Sequence, residues 1–366
     1  MDAGIVISAS HNPYTDNGIK IFKGDGFKLG DEMENRIEGL LEEGIPPVST
    51  PTANEVGQVE WVADVLPRYR LFLRGCFPDT MTMNGIRVVL DTANGATYHT
   101  APELFSELGA DVKSIHHHPD GTNINDHCGS QYIKDLQERV RAGGADVGFA
   151  FDGDGDRVIA VDENGREITG DQILLICAKS LKDQGRLKNN RVVSTVMSNV
   201  GLTEGCQRLG IERHASSVGD RYVLADMIHW GAVAGGEESG HIILLDHHTT
   251  SDGIITAMQL IAAMIREKKP LSELANLMRV YPQRLINVPV SEKKEIAAVP
   301  ALARAIESVE SELGPRGRVL IRYSGTQNLC RVMVEGPDTE KTDQYARQLA
   351  EVVRSTLGQE ADNISE

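Results

Sequence analysis

Paired cysteines are missing from this chain. Its five cysteines, at 76, 128, 177, 206 and 330, are odd in number, scattered and without Cys-x-x-Cys spacing. That pattern argues against a disulfide framework and predicts free thiols in a reducing compartment. No apolar run approaches the ~18 residues of a membrane span. The first residues also lack the basic and apolar regions of a secretory leader, so the expected location is cytoplasmic, off the membrane. Positive charge is short: 37 Lys and Arg face 53 Asp and Glu, a formal charge of −16. This argues against nucleic acid and anionic membrane as partners. Small anionic substrates stay open, because a local cluster of Arg, Lys and backbone N–H groups decides that question. The hydrolase elbow Gly-x-Ser-x-Gly is absent, which argues against a Ser-His-Asp acyl enzyme. His116, His117 and His118, beside His127, lack i, i+4 spacing and a cysteine pair. They are read as a solvated loop and not as zinc ligands, and His247-His248 likewise.

What is present is enough apolar residue, 40% of 366 positions, to build several globular domains. The chain enters an apolar run at once, Gly4 to Ile7, which reads as a start inside a domain. Helical spacing follows at Met33, Ile37, Leu40 and Leu41, and prolines 46, 47 and 51 mark 45–60 as a connector. From 62 to 165 strands and helices alternate, which predicts a mostly parallel sheet with flanking helices. Residues 166–279 repeat the scheme, with strands at 192–196, 232–235 and 242–245 and a long helix through Ile254, Met258, Ile261 and Ile265. Residues 280–366 read as an α+β unit with strands at 284–290, 318–322 and 330–335, ending in a frayed tail at 359–366. The fold class is multi-domain α/β.

Chemistry concentrates in a few loops. Asp152-Gly153-Asp154-Gly155-Asp156-Arg157 follows the apolar strand 147–151. Glycines let the carboxylates converge, and three converging carboxylates repel unless a hard cation such as Mg²⁺ neutralises them. An EF-hand Ca²⁺ loop would put Glu163 at position twelve. It fails because Arg157 replaces the glycine at position six and because 158–161 reads as a returning strand and not a helix. Ser8-Ala9-Ser10-His11-Asn12-Pro13 could be a nucleophile, a phosphate carrier or a turn. A phosphorylated serine beside a Mg²⁺ site is the coherent pairing, since the metal offsets and orients the phosphate. Gly235-Gly236-Glu237-Glu238-Ser239-Gly240-His241 suits hydrogen bonding to sugar hydroxyls, or is a charged loop. Arg322-Tyr323-Ser324-Gly325-Thr326-Gln327-Asn328, ending near Arg331, reads as an anion cradle or a β-turn. Gly219-Asp220-Arg221 is a weaker case of the same kind.

These loops, in this order from residue 4 to about 357, resemble the α-D-phosphohexomutase superfamily. Within it, Pro119-Asp120-Gly121-Thr122-Asn123-Ile124-Asn125 with Cys128-Gly129-Ser130 is similar to the branch acting on amino-sugar phosphates. The segments Val196–Asn199 and Val218–Val223 agree. The resemblance implies three mixed α/β sheet domains, the first truncated, and a C-terminal α+β domain around a central cleft: residues 1–61, 62–165, 166–279 and 280–366. It implies that Ser10 carries a phosphoryl group and that Asp152, Asp154 and Asp156, with a phosphoserine oxygen on Ser10, hold one Mg²⁺. Lys20 and His241 match proton-transfer positions, and Arg157 would neutralise phosphate charge. Glu237 and Ser239 match contacts to sugar hydroxyls. Arg322, Ser324, Gly325 and Thr326, near Arg331, match the grip on the non-reacting phosphate. The implied substrate is a hexosamine phosphate, passing through a bisphosphorylated sugar; a homodimer is left open. A glucose or mannose phosphate mutase, or an inactive phosphosugar-binding protein, are the competing readings. Two departures stand out: the segment that usually precedes the Ser loop is absent, and Gln327-Asn328 replaces a Glu-Pro.

Overall fold

The computed structural model describes residues 2–43, 56–324 and 328–358. Residues 45–55 of the expected connector and the expected tail at 359–366 lie outside these. The described residues form two compact units: 1–197 with 209–277, and 198–208 with 278–366. No helix among them is long and apolar enough to cross a membrane.

The first unit opens with β1 (Ala3–Ser8) and β2 (Gly18–Lys23), an antiparallel ribbon with Ser8 opposite Gly18, followed by α1 (Asp31–Glu42). The 9–17 loop between the strands carries Ser10. Next come α2 (Val65–Cys76), β3 (Arg87–Asp91), α3 (Thr100–Glu107), β4 (Asp111–Ile115), α4 (Lys134–Gly143), β5 (Val147–Phe151), β6 (Val158–Asp162) and β7 (Glu167–Ile168). The strands form one sheet in the order β4-β3-β5-β6-β7. Only β4-β3-β5 is parallel; β5-β6 and β6-β7 are antiparallel, so this sheet is mixed, as the resemblance implies, and not mostly parallel as the strand–helix alternation alone suggests. The 152–157 turn is short enough to return the chain as a hairpin, with 158–161 as the returning strand, where a parallel crossover needs a helix. β7 also carries this sheet past the boundary expected at 165. All five residues of β5, Val-Gly-Phe-Ala-Phe, are buried, which accounts for its continuous apolar run.

The chain continues with α5 (Gly170–Asp183), β8 (Arg191–Thr195), α6 (Val200–Arg208), β9 (Glu212–Ser216), α7 (Asp220–Trp230), β10 (Ala234–Gly236), β11 (Ile242–Leu244), α8 (Gly253–Glu267) and α9 (Leu271–Ala275). The sheet order is β11-β10-β8-β9. β9 was not expected, because Glu-Arg-His-Ala-Ser on a sheet edge has no apolar run to betray it. Helix α8 is apolar and mostly buried, and its Asp252 cap accepts from the N–H groups of Ile254 and Ile255. A cap of this kind contributes about 1 kcal/mol.

The second unit contains α6 and the elements after 278. β12 (Gln283–Pro289), α10 (Pro300–Leu313), β13 (Arg318–Tyr323), β14 (Leu329–Glu335) and α11 (Thr339–Leu357) form an antiparallel sheet, β12-β14-β13, with two helices packed on it. This is the α+β pattern expected of the C-terminal region.

Candidate active site

In the first unit, the turn between β5 and β6 brings the three aspartates together. One oxygen each from Asp152, Asp154 and Asp156 lies within 4.8 Å of the others. Asp152 Oδ2, Asp154 Oδ1 and Asp156 Oδ1 are buried and have no hydrogen-bond partner among the described residues. Three converging carboxylates, each with an oxygen free of hydrogen bonds among the described residues, fit a divalent cation. Electrostatics agree. Burial, with Asp156 and Asp154 beside it, pushes the Asp152 carboxyl well above the usual range. Asp156 is held low although burial opposes this, because His241, Lys20 and Arg157 face it.

The turn needs its glycines for close approach. A Cβ on Gly153 would stand 2.5 Å from the Ser10 carbonyl oxygen, and Gly155 has a positive φ of 75°. Arg157 donates its backbone N–H to Asp152 Oδ1 at 3.1 Å. Its guanidinium lies 3.9 Å from Asp152 and from Asp156.

The Ser10 loop packs directly on this turn. Ser8 Oγ donates to Asp154 Oδ2 at 2.7 Å and accepts from the Ser10 N–H at 2.8 Å. The Ser10 carbonyl accepts from the Gly153 N–H at 3.1 Å. Ser10 itself has a positive φ of 51°, costly for a serine unless its surroundings fix it. Its Oγ is 3.2 Å from His11 Nδ1. Lys20 Nζ, from β2, reaches Asp154 Oδ2 at 2.6 Å and Asp156 Oδ2 at 3.3 Å. Burial works against the Lys20 ammonium, but Asp156 and Asp154 raise its pKa above the ordinary value. It therefore sits here as a cation.

The 235–241 loop approaches from the other side. Gly240 has a φ of 90°, and a Cβ there would meet the Val158 carbonyl at 2.2 Å, so glycine is required for this contact with β6. His241 is buried, with Nε2 3.6 Å from Asp156 Oδ2 and 3.7 Å from Asp220 Oδ2. Glu237 Oε1 accepts the Gly219 N–H at 3.0 Å, and Ser239 is exposed. Sequence reasoning gave one further member of this group, Asp220, only as part of a weak anion-cradle candidate and missed Lys28. Asp220 ion-pairs with Lys28 and faces His241. The flagged Gly219-Asp220-Arg221 was the available signal for Asp220; Lys28 gave none.

A second cluster lies behind the site. Asp91, His116 and Cys128 also converge within 4.8 Å, so His116 is not in a solvated loop as expected, whereas His118 and His127 are exposed. Burial, with Asp91 and Asp126, pushes the Cys128 thiol up to about 12, and the Asp91 contact raises His116. The Asp91 oxygens already accept from the N–H groups of Ala93 and Gly129.

In the second unit, Arg322 on β13 stands directly opposite Arg331 on β14. Burial and then Arg331 lower the Arg322 pKa, and the buried Arg331 Nε has no hydrogen-bond partner among the described residues. Like charges face to face are destabilising, so the pair suits a bound anion. Ser324 is buried, its N–H donating to the Leu329 carbonyl while its own carbonyl accepts from Lys293. Lys293 was not anticipated. Gly325 and Thr326 lie outside the described residues.

A serine beside three clustered carboxylates, each with one oxygen free of hydrogen bonds among the described residues and with lysine, arginine and histidine around them, suits phosphoryl-transfer chemistry. Models of the phosphoglucomutase/phosphomannomutase family match the chain in four pieces: alpha/beta/alpha domains I, II and III over residues 1–46, 74–165 and 169–281, and the C-terminal domain over 285–352. The chain belongs to this family. It is 61% identical to a phosphoglucosamine mutase of Syntrophobacter fumaroxidans over 98% of this chain and 80% of that protein. A phosphoglucosamine mutase of Syntrophus aciditrophicus is 56% identical over the same shares. Among solved structures, Aspergillus fumigatus N-acetylphosphoglucosamine mutase, in complex with GlcNAc-6P and magnesium, superimposes with a TM-score of 0.77 at 21% identity. That match covers 97% of this chain and 89% of the other.

Proposed function

We propose that this chain interconverts glucosamine 6-phosphate and glucosamine 1-phosphate, with Ser10 as the phosphoryl carrier. In this reading Asp152, Asp154 and Asp156 hold one Mg²⁺, and the product feeds UDP-N-acetylglucosamine synthesis. The observation that carries the reading is a backbone-pinned serine beside three carboxylate oxygens that lack partners. The relatives at 61% and 56% identity support glucosamine over glucose or mannose.

The sugar hydroxyl attacks phosphorus, the bond from Ser10 Oγ to phosphorus breaks, and a bisphosphorylated sugar results. After the sugar turns around, Ser10 Oγ takes back the other phosphoryl group. Bound Mg²⁺ supplies charge neutralisation for the phosphoryl oxygens. Arg157 neutralises further phosphate charge. His241, between Asp156 and Asp220, would take the hydroxyl proton, and the Lys20 ammonium would donate one. Glu237 and Ser239 contact the sugar, while Arg322, Arg331, Ser324, Gly325 and Thr326 grip the phosphate that is not reacting. With the second sheet extended by β7 to Ile168, the domain division 1–61, 62–165, 166–279 and 280–366 would give these four tasks one to each domain.

Parallel rate measurements with glucosamine 6-phosphate, glucose 6-phosphate and mannose 6-phosphate, primed by a hexose 1,6-bisphosphate, test the proposal. Glucosamine 6-phosphate should give the highest kcat/KM. A higher value with glucose or mannose phosphate would transfer the assignment to another sugar, and absence of turnover with all three would overturn it.

A further inference from the structure

The stretch from Pro119 to Ser130 distinguishes one branch of the resemblance, yet none of its side chains appears in the chemistry above. The structure assigns it a task. Asn125 Nδ2 donates at 2.8 Å to the Ser10 carbonyl and at 2.8 Å to the Asn12 carbonyl. Those carbonyls flank His11, so one side-chain amide ties together the two sides of the Ser10 turn. With the Gly153 N–H on the Ser10 carbonyl and Ser8 Oγ on the Ser10 N–H, both backbone groups of Ser10 are fixed.

Asn125 is itself held in place. It has a positive φ of 57°, a conformation that asparagine tolerates better than most side chains. Its own N–H donates to the Ala93 carbonyl at 2.9 Å. Ala93 donates its N–H to the buried Asp91 carboxylate, which also accepts from Gly129. The Asp91 group behind the site thus supports Asn125, and Asn125 supports Ser10.

We infer that Asn125 is a positioning residue for the Ser10 loop: it acts on the placement of Ser10 Oγ and touches neither sugar nor metal carboxylates. This rests on the proposed mutase reading for its effect on turnover, but not for its effect on the loop. Asn125→Asp keeps the shape and the backbone preference while removing both N–H donors, and it sets a carboxylate oxygen against two carbonyls. Asn125→Gly removes the amide without backbone strain. Hydrogen exchange on the full chain should show residues 8–13 opening roughly tenfold more often in both variants, with β3 and β5 unchanged. In steady state kcat should fall on the order of 100-fold, as expected of a displacement near 1 Å, with KM for the sugar phosphate within about twofold. Unchanged exchange at residues 8–13 in both variants would overturn the inference, whatever the kinetics. If the wild-type chain accepts no phosphoryl group from a hexose bisphosphate, the mutase reading fails while the exchange experiment still decides the role of Asn125. A rise in KM with unchanged kcat would also overturn it, since that would make Asn125 a substrate contact.

Discussion

At Ser10 the backbone does most of the work. Its φ is in a region that serine avoids, and it is held there by hydrogen bonds to both its N–H and its carbonyl. Ser8, two residues earlier, has its Oγ occupied by Asp154 and by the Ser10 N–H. Ser8 is therefore a brace, and in the proposed function Ser10 is the carrier. Phosphopeptide mass spectra of the active protein should place one phosphate on Ser10, and phosphate on Ser8 alone would reverse the assignment. Ser10→Ala should lower kcat by at least about 10⁴-fold, as loss of a covalent carrier does. Asp154 has a different burden, because Lys20 and Ser8 share one of its oxygens while the other has no hydrogen-bond partner among the described residues. Calorimetry of Asp154→Ala should show Mg²⁺ binding weaker by on the order of 100-fold or more. The main melting temperature should change little, since the Asp154 side chain fills no apolar core, although losing its Ser8 and Lys20 contacts should loosen residues 3–42. Undiminished Mg²⁺ affinity would remove the aspartates as ligands.

Strands and loops decide which of these residues could be found beforehand. The convergence of Asp152, Asp154 and Asp156 was legible because they lie close in sequence and follow a strand buried on both faces. His241 stood out as part of a local motif that ends a strand, and it lies beside Asp156. Asn125, Lys28 and Lys293 were not, because their meaning lies in contacts more than thirty residues away or in a loop with no apolar pattern. The facing arginines are a product of strand register, invisible until β13 and β14 are aligned. Arg331→Met should therefore stabilise the substrate-free protein by about 0.2–1 kcal/mol and raise KM for the sugar phosphate. A variant destabilised without substrate, with KM unchanged, would speak against the anion site. The His116–Asp91 contact, also unforeseen, gives a pH signature. His116 is flanked by Asp91, Asp135 and Arg139, and its pKa is raised above 6.5 chiefly by the Asp91 contact. A raised folded-state pKa adds stability fully present below the unfolded value and lost as pH rises through the folded one. Relative to His116→Gln, the wild-type protein should thus lose its margin on going upward from pH 6.5. Denaturant midpoints that differ by the same amount at low and high pH would dismiss this coupling.

For the molecule as a whole, the weak point is the segment that carries the serine. No residue from 2 to 43 is fully buried, and Ile5, Ile7 and Ile19 of the ribbon are 67%, 73% and 69% exposed. Helix α1 has no buried residue either. What ties the segment to the rest of the first unit includes a set of polar contacts: Ser8 and Lys20 to Asp154, Lys28 to Asp220, and Arg221 to Asp31 and Glu34. Part-exposed ion pairs contribute about 0–1 kcal/mol each. Ordering the backbone costs roughly 1–2 kcal/mol per residue, and an isolated two-stranded ribbon is marginal in water. Residues 3–42 should therefore be the least stable part of the first unit, opening at far lower free energy than β3, β5 and β6. Because charge contributes to the attachment, raising ionic strength should loosen it, the screening length falling from about 10 Å at 0.1 M to about 3 Å at 1 M. Hydrogen exchange at low and high KCl should show faster opening of 3–42 with salt and no change in the sheet around β5. Turnover should fall in parallel, since Ser10 rides on this segment. The exposed isoleucine face should also drive concentration-dependent association, which Ile7→Lys should reduce without altering the core. Amides of residues 3–42 as protected as those of β5, together with monodisperse light scattering at high concentration, would show that the polar contacts alone are enough.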